Sequence, residues 1–349
     1  MAYTTINKST DYFNTKLYTG NGTTHAITGV GFQPDMVWAK ARAGTVNHGL
    51  ADSVRGATNQ LRPNDTTAEF TGGFVSFNAD GFTLNNNHNE NNNGVNYVGW
   101  NWKAGTTGSG TTTGSGTGKA YSYSVNTTSG FSIIKYKGNS TNGHTIPHHL
   151  GAVPKMVIVK QLNATKEWRI YHVGTPSANT RSIRLNENDY YNTDSAYWYN
   201  TTPTNTVFTL GDSNTVNNNN DDYVAYCFAE KTGYSKFSSF EGNNNANGAF
   251  VYLGFKPSLI ITKSIDTGGT NYDWLMFDNK RNTGNVNDDF LEANNNDAET
   301  TSGRNEVDFL SNGFKCRTSY GDLNSGTTYI YMAFGQSLEG SNNVPATAR

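Results

Sequence analysis

The sequence predicts an all-β chain of three tandem β-sandwich repeats joined by Asn-, Gly- and Thr-rich loops. Three observations carry that prediction. First, 48 Asn, 45 Thr and 37 Gly stand among 349 residues, of which only 15% are charged. Helical bundles and coiled coils need many Ala, Glu, Lys and Leu instead. Second, 18 Phe, 20 Tyr and 6 Trp supply large apolar areas, so the chain is not a disordered polar tail. Third, the chain repeats itself, and internal repetition decides architecture before local pattern does. A Pro-to-Lys segment recurs as Pro34-Asp-Met-Val-Trp-Ala-Lys40, Pro154-Lys-Met-Val-Ile-Val-Lys160 and Pro257-Ser-Leu-Ile-Ile-Thr-Lys263.

Each recurring marker reads as a strand or a turn. Upstream of the Pro segments lie Tyr18-Thr-Gly-Asn21, Tyr136-Lys-Gly-Asn139 and Phe240-Glu-Gly-Asn243, whose Gly-Asn pairs provide the positive φ of tight turns. The Pro segments themselves are strands, with proline as a permitted starter. A further strand is expected at Gly81-Phe-Thr-Leu84, at Gly313-Phe-Lys-Cys316 and, less clearly, at Val207-Phe-Thr-Leu210. Tyr97-Val-Gly-Trp-Asn-Trp102, Tyr223-Val-Ala-Tyr-Cys-Phe228 and Tyr329-Ile-Tyr-Met-Ala-Phe334 close each repeat. Their aromatics do not alternate strictly, which predicts burial on both faces. The Pro-to-Tyr spacing is 63, 69 and 72, so insertions fall between anchors whose order holds.

The expected organisation is an N-terminal arm at 1–12, repeats at 13–105, 121–232 and 233–340, and a C-terminal tail at 341–349. Residues 106–120, Gly/Ser/Thr-rich and without an aliphatic or aromatic side chain before Ala120, read as a flexible linker. The second and third repeats are separated by so few residues that they must touch. The first can be held apart or docked differently. A short helix is possible near Asp288–Ala298, limited by its run of Asn.

Several function classes are disfavoured. A formal net charge of −2 argues against general nucleic-acid binding, whose affinity comes from neutralising phosphates. Cys227 and Cys316 alone make neither a disulfide framework nor a zinc site. No apolar run approaches the ~20 residues of a membrane span. The N-terminus lacks the basic start and apolar stretch of a signal peptide, so synthesis in a cytoplasm is expected, with release by a route such as lysis.

The order Tyr-Thr-Gly-Asn-Gly22, Thr28 to Lys40, Asn47 to Gly56, Asp80 to Leu84 and Tyr97 to Gly105 resembles a repeat family of uncharacterised marine bacteriophage virion proteins, tail-fibre-like or structural. Phe250 to Lys263, Trp274 to Asn282, Asp308 to Lys315 and Thr328 to Ser337 resemble another face of it. The second repeat departs, with Leu150-Gly-Ala-Val-Pro154 in place of Gly-Phe-x-Pro and Trp168-Arg-Ile-Tyr-His172 in place of Trp-Leu-Met-Phe-Asp. The resemblance implies a virion part and no chemistry.

Direct searches for chemistry give little. His144, His148 and His149 invite a metal, yet adjacent residues in a strand face opposite sides. Asp221-Asp222 and Asp288-Asp289 lack the alternating pattern of a calcium loop. Asp52-Ser-Val-Arg55 and Asp278-Asn-Lys-Arg281 read as local ion pairs, worth little where exposed. No catalytic residue, cofactor or metal site is assigned. The chosen contact patch, for a partner or a ligand, is the aromatic insertion Tyr190, Tyr191, Tyr197, Trp198 and Tyr199, whose composition suits an interface. Packing of these rings over their own sandwich is the bland alternative. The expected function is a non-enzymatic structural protein on a tailed-phage virion surface, a tail-fibre or host receptor-binding component. Its expected partners are other virion proteins, copies of itself (a trimer favoured) and a host surface glycan or receptor, without nucleic acid or membrane insertion. The rivals are a capsid decoration or head-fibre protein, and a tail-associated polysaccharide depolymerase.

Overall fold

The structure, a computed structural model, describes residues 3–86, 88–269, 272–301, 303 and 306–339. The expected C-terminal tail and residues 1 and 2 lie outside the described residues. Every strand pairing between named strands is antiparallel, and six sheets form three sandwich-like pairs.

The first unit runs β1 (Phe13–Thr19), β2 (His25–Thr28), β3 (Met36–Ala41), β4 (Gly49–Asp52), β5 (Asn59–Leu61), β6 (Phe70–Thr71), β7 (Phe74–Asn78), β8 (Gly81–Leu84) and β9 (Asn96–Trp102). Its large sheet is ordered β1-β9-β3-β4-β5-β6 and its small one β2-β8-β7. The second unit runs β10 (Thr106–Thr111), β11 (Thr113–Gly114), β12 (Ala120–Asn126), β13 (Phe131–Lys137), β14 (His144–Pro147), β15 (Met156–Gln161) and β16 (Arg169–His172). It continues with β17 (Arg181–Arg184), β18 (Asn192–Thr193), α1 (Ser195–Trp198), β19 (Val207–Leu210), α2 (Asn214–Asn217) and β20 (Asp222–Phe228). Its sheets are β10-β12-β13-β20-β15-β16-β17-β18 and β11-β14-β19. The third unit runs β21 (Ser235–Glu241), β22 (Phe250–Tyr252), β23 (Lys256–Ser264), β24 (Leu275–Asp278), β25 (Asp289–Glu292), β26 (Thr300–Thr301), β27 (Val307–Leu310), β28 (Gly313–Cys316), α3 (Gly321–Asn324) and β29 (Thr328–Gln336). Its order, β21-β29-β23-β24-β25-β26 with β22-β28-β27, copies that of the first.

Register makes the three units superimposable by residue. Met36 faces Trp102, Met156 faces Phe228 and Leu259 faces Phe334 across the central strand pair. Four positions on, Lys40, Lys160 and Lys263 face Val98, Val224 and Ile330. The central strands are buried on both faces, β3 and β15 along their whole length, as their unbroken apolar runs require.

The units close on one another. A single core cluster takes residues from all three large sheets, with Trp102, Phe228 and Phe334 at equivalent positions. Their ring centroids are 6.5, 5.8 and 5.9 Å apart pairwise, within the favourable range for edge-on aromatic contact. These three rings mark a pseudo-threefold axis. The first unit is therefore not held apart; its Phe13 lies 5.2 Å from Phe334 of the third. The N-terminal arm also binds the third unit, through Ser9 N–H to Gln336 Oε1 at 2.6 Å and Tyr3 Oη to the Gly254 carbonyl at 3.2 Å.

The linker expectation is also overturned. Residues 106–111 form β10, paired with β12 from Thr106–Val125 to Thr111–Ala120, and 113–114 form β11 on β14. The glycines read as flexible have another use. A Cβ on Gly108 would sit 2.6 Å from Tyr123 Oη, and one on Gly110 would sit 2.8 Å from Tyr121 Oη. Each glycine lets a tyrosine of β12 lie flat over the edge strand. The helix expected near 288–298 is absent too: Asp289–Glu292 is β25, followed by an Asn-rich turn. Phe290 and Leu291 are consecutive and enter different core clusters, which a short strand buried on both faces allows and one helical stripe does not.

Candidate functional site

Equivalent side chains lock each unit to the next in one rotational sense. His48, Trp168 and Trp274 immediately precede β4, β16 and β24. His48 Nε2 donates to the Asn295 carbonyl of unit three at 3.0 Å, Trp168 Nε1 to Arg62 O of unit one at 3.0 Å, and Trp274 Nε1 to Arg184 O of unit two at 3.0 Å. Trp38 Nε1 donates to His48 Nδ1 at 2.8 Å, which assigns the remaining ring proton to Nε2. Burial, then the charge of nearby Lys40, pushes His48 well below the usual imidazole range, so it stays neutral. The backbone N–H of the three residues is held by Asn64, Asn186 and Asn294 Oδ1 at 2.9, 2.9 and 2.8 Å. Sequence reading passed over those amides, because three Asn at unequal offsets vanish in a chain so rich in Asn.

At the far ends of β4 and β24 the Asp–Arg pairs form locally as expected, and they are fully buried rather than exposed. Asp52 Oδ1 accepts from Val54 and Arg55 N–H, while Oδ2 accepts from Arg55 Nε at 2.5 Å and Tyr226 Oη of unit two at 2.7 Å. Asp278 repeats this with Arg281 Nε at 2.6 Å and Trp100 Nε1 of unit one at 3.1 Å. Burial alone would lower the Arg55 guanidinium; Asp52, Tyr226 and Glu69 outweigh it and raise the pKa. The second unit has His172 at the Asp position. Its Nε2 donates to Tyr331 O of unit three at 3.1 Å, Gly174 N–H donates to its Nδ1, and burial lowers its pKa to about 4.

Lys40, Lys160 and Lys263 donate Nζ to the following carbonyls of Ala41, Gln161 and Ser264 at 3.0, 2.7 and 2.7 Å. Desolvation lowers them to about 8, 8 and 7. Lys40 also reaches the Asn296 carbonyl of unit three, and Lys263 the Asn188 carbonyl of unit two.

Clefts open where units meet. One of about 550 Å3 lies between units one and two, lined by Asp35, Ser53, Lys103, Gly105 and Tyr123. One of about 650 Å3 occupies the equivalent junction of units two and three, lined by Lys155, Thr175, Glu230, Phe237 and Glu241. A third of about 510 Å3, beside Asn188, Asp273, Asn295 and Asp297, contains Glu292. Desolvation and neighbouring carboxylates raise Glu292 to about 7, against a lowering hydrogen bond from Asn295.

The aromatic insertion does not form one patch. Asp194 caps α1 by accepting from Ala196 N–H, and the single turn carries Tyr197 and Trp198 into the unit's own core. Trp198 meets Tyr171 edge-on at 6.1 Å, and the Arg169 guanidinium lies 4.3 Å over Tyr197. Tyr191 is half-buried under Arg181 at 4.0 Å. Only Tyr190 and Tyr199, 57% and 46% exposed, face solvent, Tyr199 because its left-handed conformation ends the helix. The histidines are likewise dispersed. His144 bonds Asn217 and Thr112, His148 bonds Thr204, and His149 stacks on Tyr123 at 3.7 Å. Asp221 accepts from Gln161, Asn163 and Asn218, and Asp288 from Asn282. Among the described residues no three His, Cys, Asp or Glu converge as metal ligands. No described helix is long and apolar enough to cross a membrane.

No curated protein and no solved structure matches the chain. One family match covers residues 8–337, from the arm to the end of β29, and so takes in all three units as a single module. The ring of interlocked repeats lies within that span, and the chain belongs to the family described as Domain of unknown function (DUF7483).

Proposed function

We propose that the chain is a non-enzymatic structural protein of a tailed-bacteriophage virion surface, acting in a tail fibre or in host receptor binding. The observation that carries the reading is the closed pseudo-threefold ring. Its most specific polar side chains, His48, Trp168, Trp274, Asp52 and Asp278, hold units together and face away from solvent. Such interlocking suits a durable particle component. A single chain with internal threefold character can also sit on the axis of a trimeric appendage, or form a trimer itself, in contact with other virion proteins. The resemblance to phage repeats points the same way. A density map of purified particles tests it: density for the ring on the tail is the expected result, density on the capsid selects the decoration or head-fibre reading, and none on either removes the proposal.

The Glu292 cleft favours one second reading, a polysaccharide depolymerase, because a carboxyl near pKa 7 beside Asp273 and Asp297 has the state of a general acid. Release of reducing sugar from host envelope by the wild type, abolished in Glu292→Gln, would establish that reading instead.

A further inference from the structure

The three units act as controls for one another, and one surface of the third differs from its sisters. On β22, Phe250 and Tyr252 are 48% and 55% exposed while Val251 between them enters the core. Matching Val251–Phe314 to Ile27–Phe82 and Ile146–Phe208 puts Ala26 and Thr28, or Thr145 and Pro147, at the same two positions. The fold therefore does not require aromatic rings there. In unit two that place is partly covered, since Thr113 of β11 pairs with Thr145 and their hydroxyls bond at 2.8 Å. In unit three a third ring is added: the arm brings in Tyr3, 41% exposed, whose phenol lies against that of Tyr252 over Gly254. A Cβ on Gly254 would fall 2.3 Å from Tyr3 Oη, so glycine is needed for this approach.

Two cations flank the rings. Lys236 Nζ lies 5.3 Å over the Tyr252 ring and donates to its carbonyl at 2.8 Å. Lys315 stands opposite Phe250 in the register and donates to Asn247 Oδ1 at 2.6 Å. Among the described residues neither ammonium pairs with a carboxylate. Asp308 stands opposite Lys315 on β27 and is engaged by Arg317 at 2.5 Å, so the surface keeps a net positive charge on a chain of net charge −2.

We infer that this surface binds an anionic, uronate-bearing glycan. Sugar rings lie on Tyr3, Phe250 and Tyr252, whose amphipathic faces accept both apolar and hydroxylated groups. The uronate carboxylate takes charge-assisted hydrogen bonds from Lys236 and Lys315. The inference deepens the receptor-binding reading and rests on it for its biological setting.

Affinity electrophoresis of the purified full chain in gels holding polygalacturonate, its methyl ester or dextran tests it. Polygalacturonate should retard the wild type more than either neutral polymer. F250T and Y252T, which install residues tolerated in the sister units, should weaken binding by about tenfold or more with unchanged melting temperature. K236Q and K315Q should remove most of its salt dependence. Three outcomes would overturn it: no retardation, equal retardation of wild type and Y252T, or sedimentation showing self-association that F250T and Y252T abolish, which would make a second copy the occupant. The particle map reports only where the chain sits, so failure of glycan binding and failure of the virion reading are separate results.

Discussion

The corners of units one and three are held by buried ion pairs, whereas the same corner of unit two is held by a neutral histidine. Asp52 and Asp278 each bind an arginine three residues on and accept one donor from a neighbouring unit. His172 reverses the polarity, donating to the neighbour's Tyr331 carbonyl, and Thr175 stands where the arginine would be. The junction thus needs a hydrogen bond across the units and is indifferent to which side donates. The ion pair is one solution among others, but once chosen it cannot be halved. Removing one partner strands the other charge away from water.

The largest contrast follows directly. Arg55→Ala or Arg281→Ala should lower stability by about 3–5 kcal/mol, because each leaves a buried carboxylate without its cation. Thr175→Ala in unit two should cost about 1 kcal/mol or less, since no buried charge is exposed. Chemical denaturation of the three variants measures the difference. Equal losses would mean that the corners share a packing role and that charge is incidental.

Against the single buried His48 of unit one, acid should bear harder on unit two. Burial lowers His172 and His148, both in that unit, to about 4 from 6.5. The folded state therefore binds these protons more weakly than the unfolded chain. Stability from this source is complete above about pH 6.5 and is lost as pH falls towards 4, by about 3 kcal/mol per group at the lower end. His172→Gln, which keeps a donor for Tyr331, should flatten that acid limb in a melting series from pH 7 to 4. An unchanged limb would assign the effect to other groups.

Alkali tests what the units share. Lys40, Lys160 and Lys263 sit at about 8, 8 and 7 in the folded chain against 10.5 unfolded, the depression coming from desolvation. Below those values the folded state bears the full cost of burying three ammonium groups. As pH rises past them it sheds protons that the unfolded chain still holds, so stability should climb from about pH 7 to 10. Above about pH 10 the climb is reversed, because burial raises Tyr18, Tyr136 and Tyr226 well above 10 and the unfolded tyrosines ionise first. Lys160→Met should reduce the climb in a melting series from pH 7 to 10.

Much of this fold was legible because repetition converts weak local signals into strong ones. Pro34, Pro154 and Pro257 located the central strands, and the aromatic closers located β9, β20 and β29. What escaped was everything between units. An Asn that fixes the backbone of the interlocking tryptophan in its own unit, such as Asn186 or Asn294, looks like any loop Asn. Burial of Asp52 with Arg55 depends on Tyr226, 171 residues beyond Arg55, which no local pattern announces. For Tyr197 and Trp198 the polar flanks left contact patch and self-packing both open; a four-residue helix turns the two rings into their own unit's core. The exposed rings of Phe250 and Tyr252 gave no signal, because they stand either side of the buried Val251 in one short strand.

The smallest expected effect concerns the segment that was misread as a spacer, and there the sign decides. Were 106–119 a flexible coil, Gly108→Ala would stabilise slightly, by about 0.4–1 kcal/mol, because alanine restricts the unfolded chain. In β10 the new methyl instead meets the Tyr123 ring, with Oη at 2.6 Å and Cε1 at 2.7 Å. The tyrosine can swing aside only by giving up its stack on His149, centroids 3.7 Å apart, and the cover it provides to the edge strand. A loss of about 1 kcal/mol is expected, near the worth of one aromatic pair. Gly284, with open space where its Cβ would project and no positive φ, is the control at which alanine should stabilise or do nothing. Parallel melts of the two variants separate a strand from a spacer: opposite signs mean that unit two has drawn the segment into its sheet, and a shared gain would return it to the role of a tether.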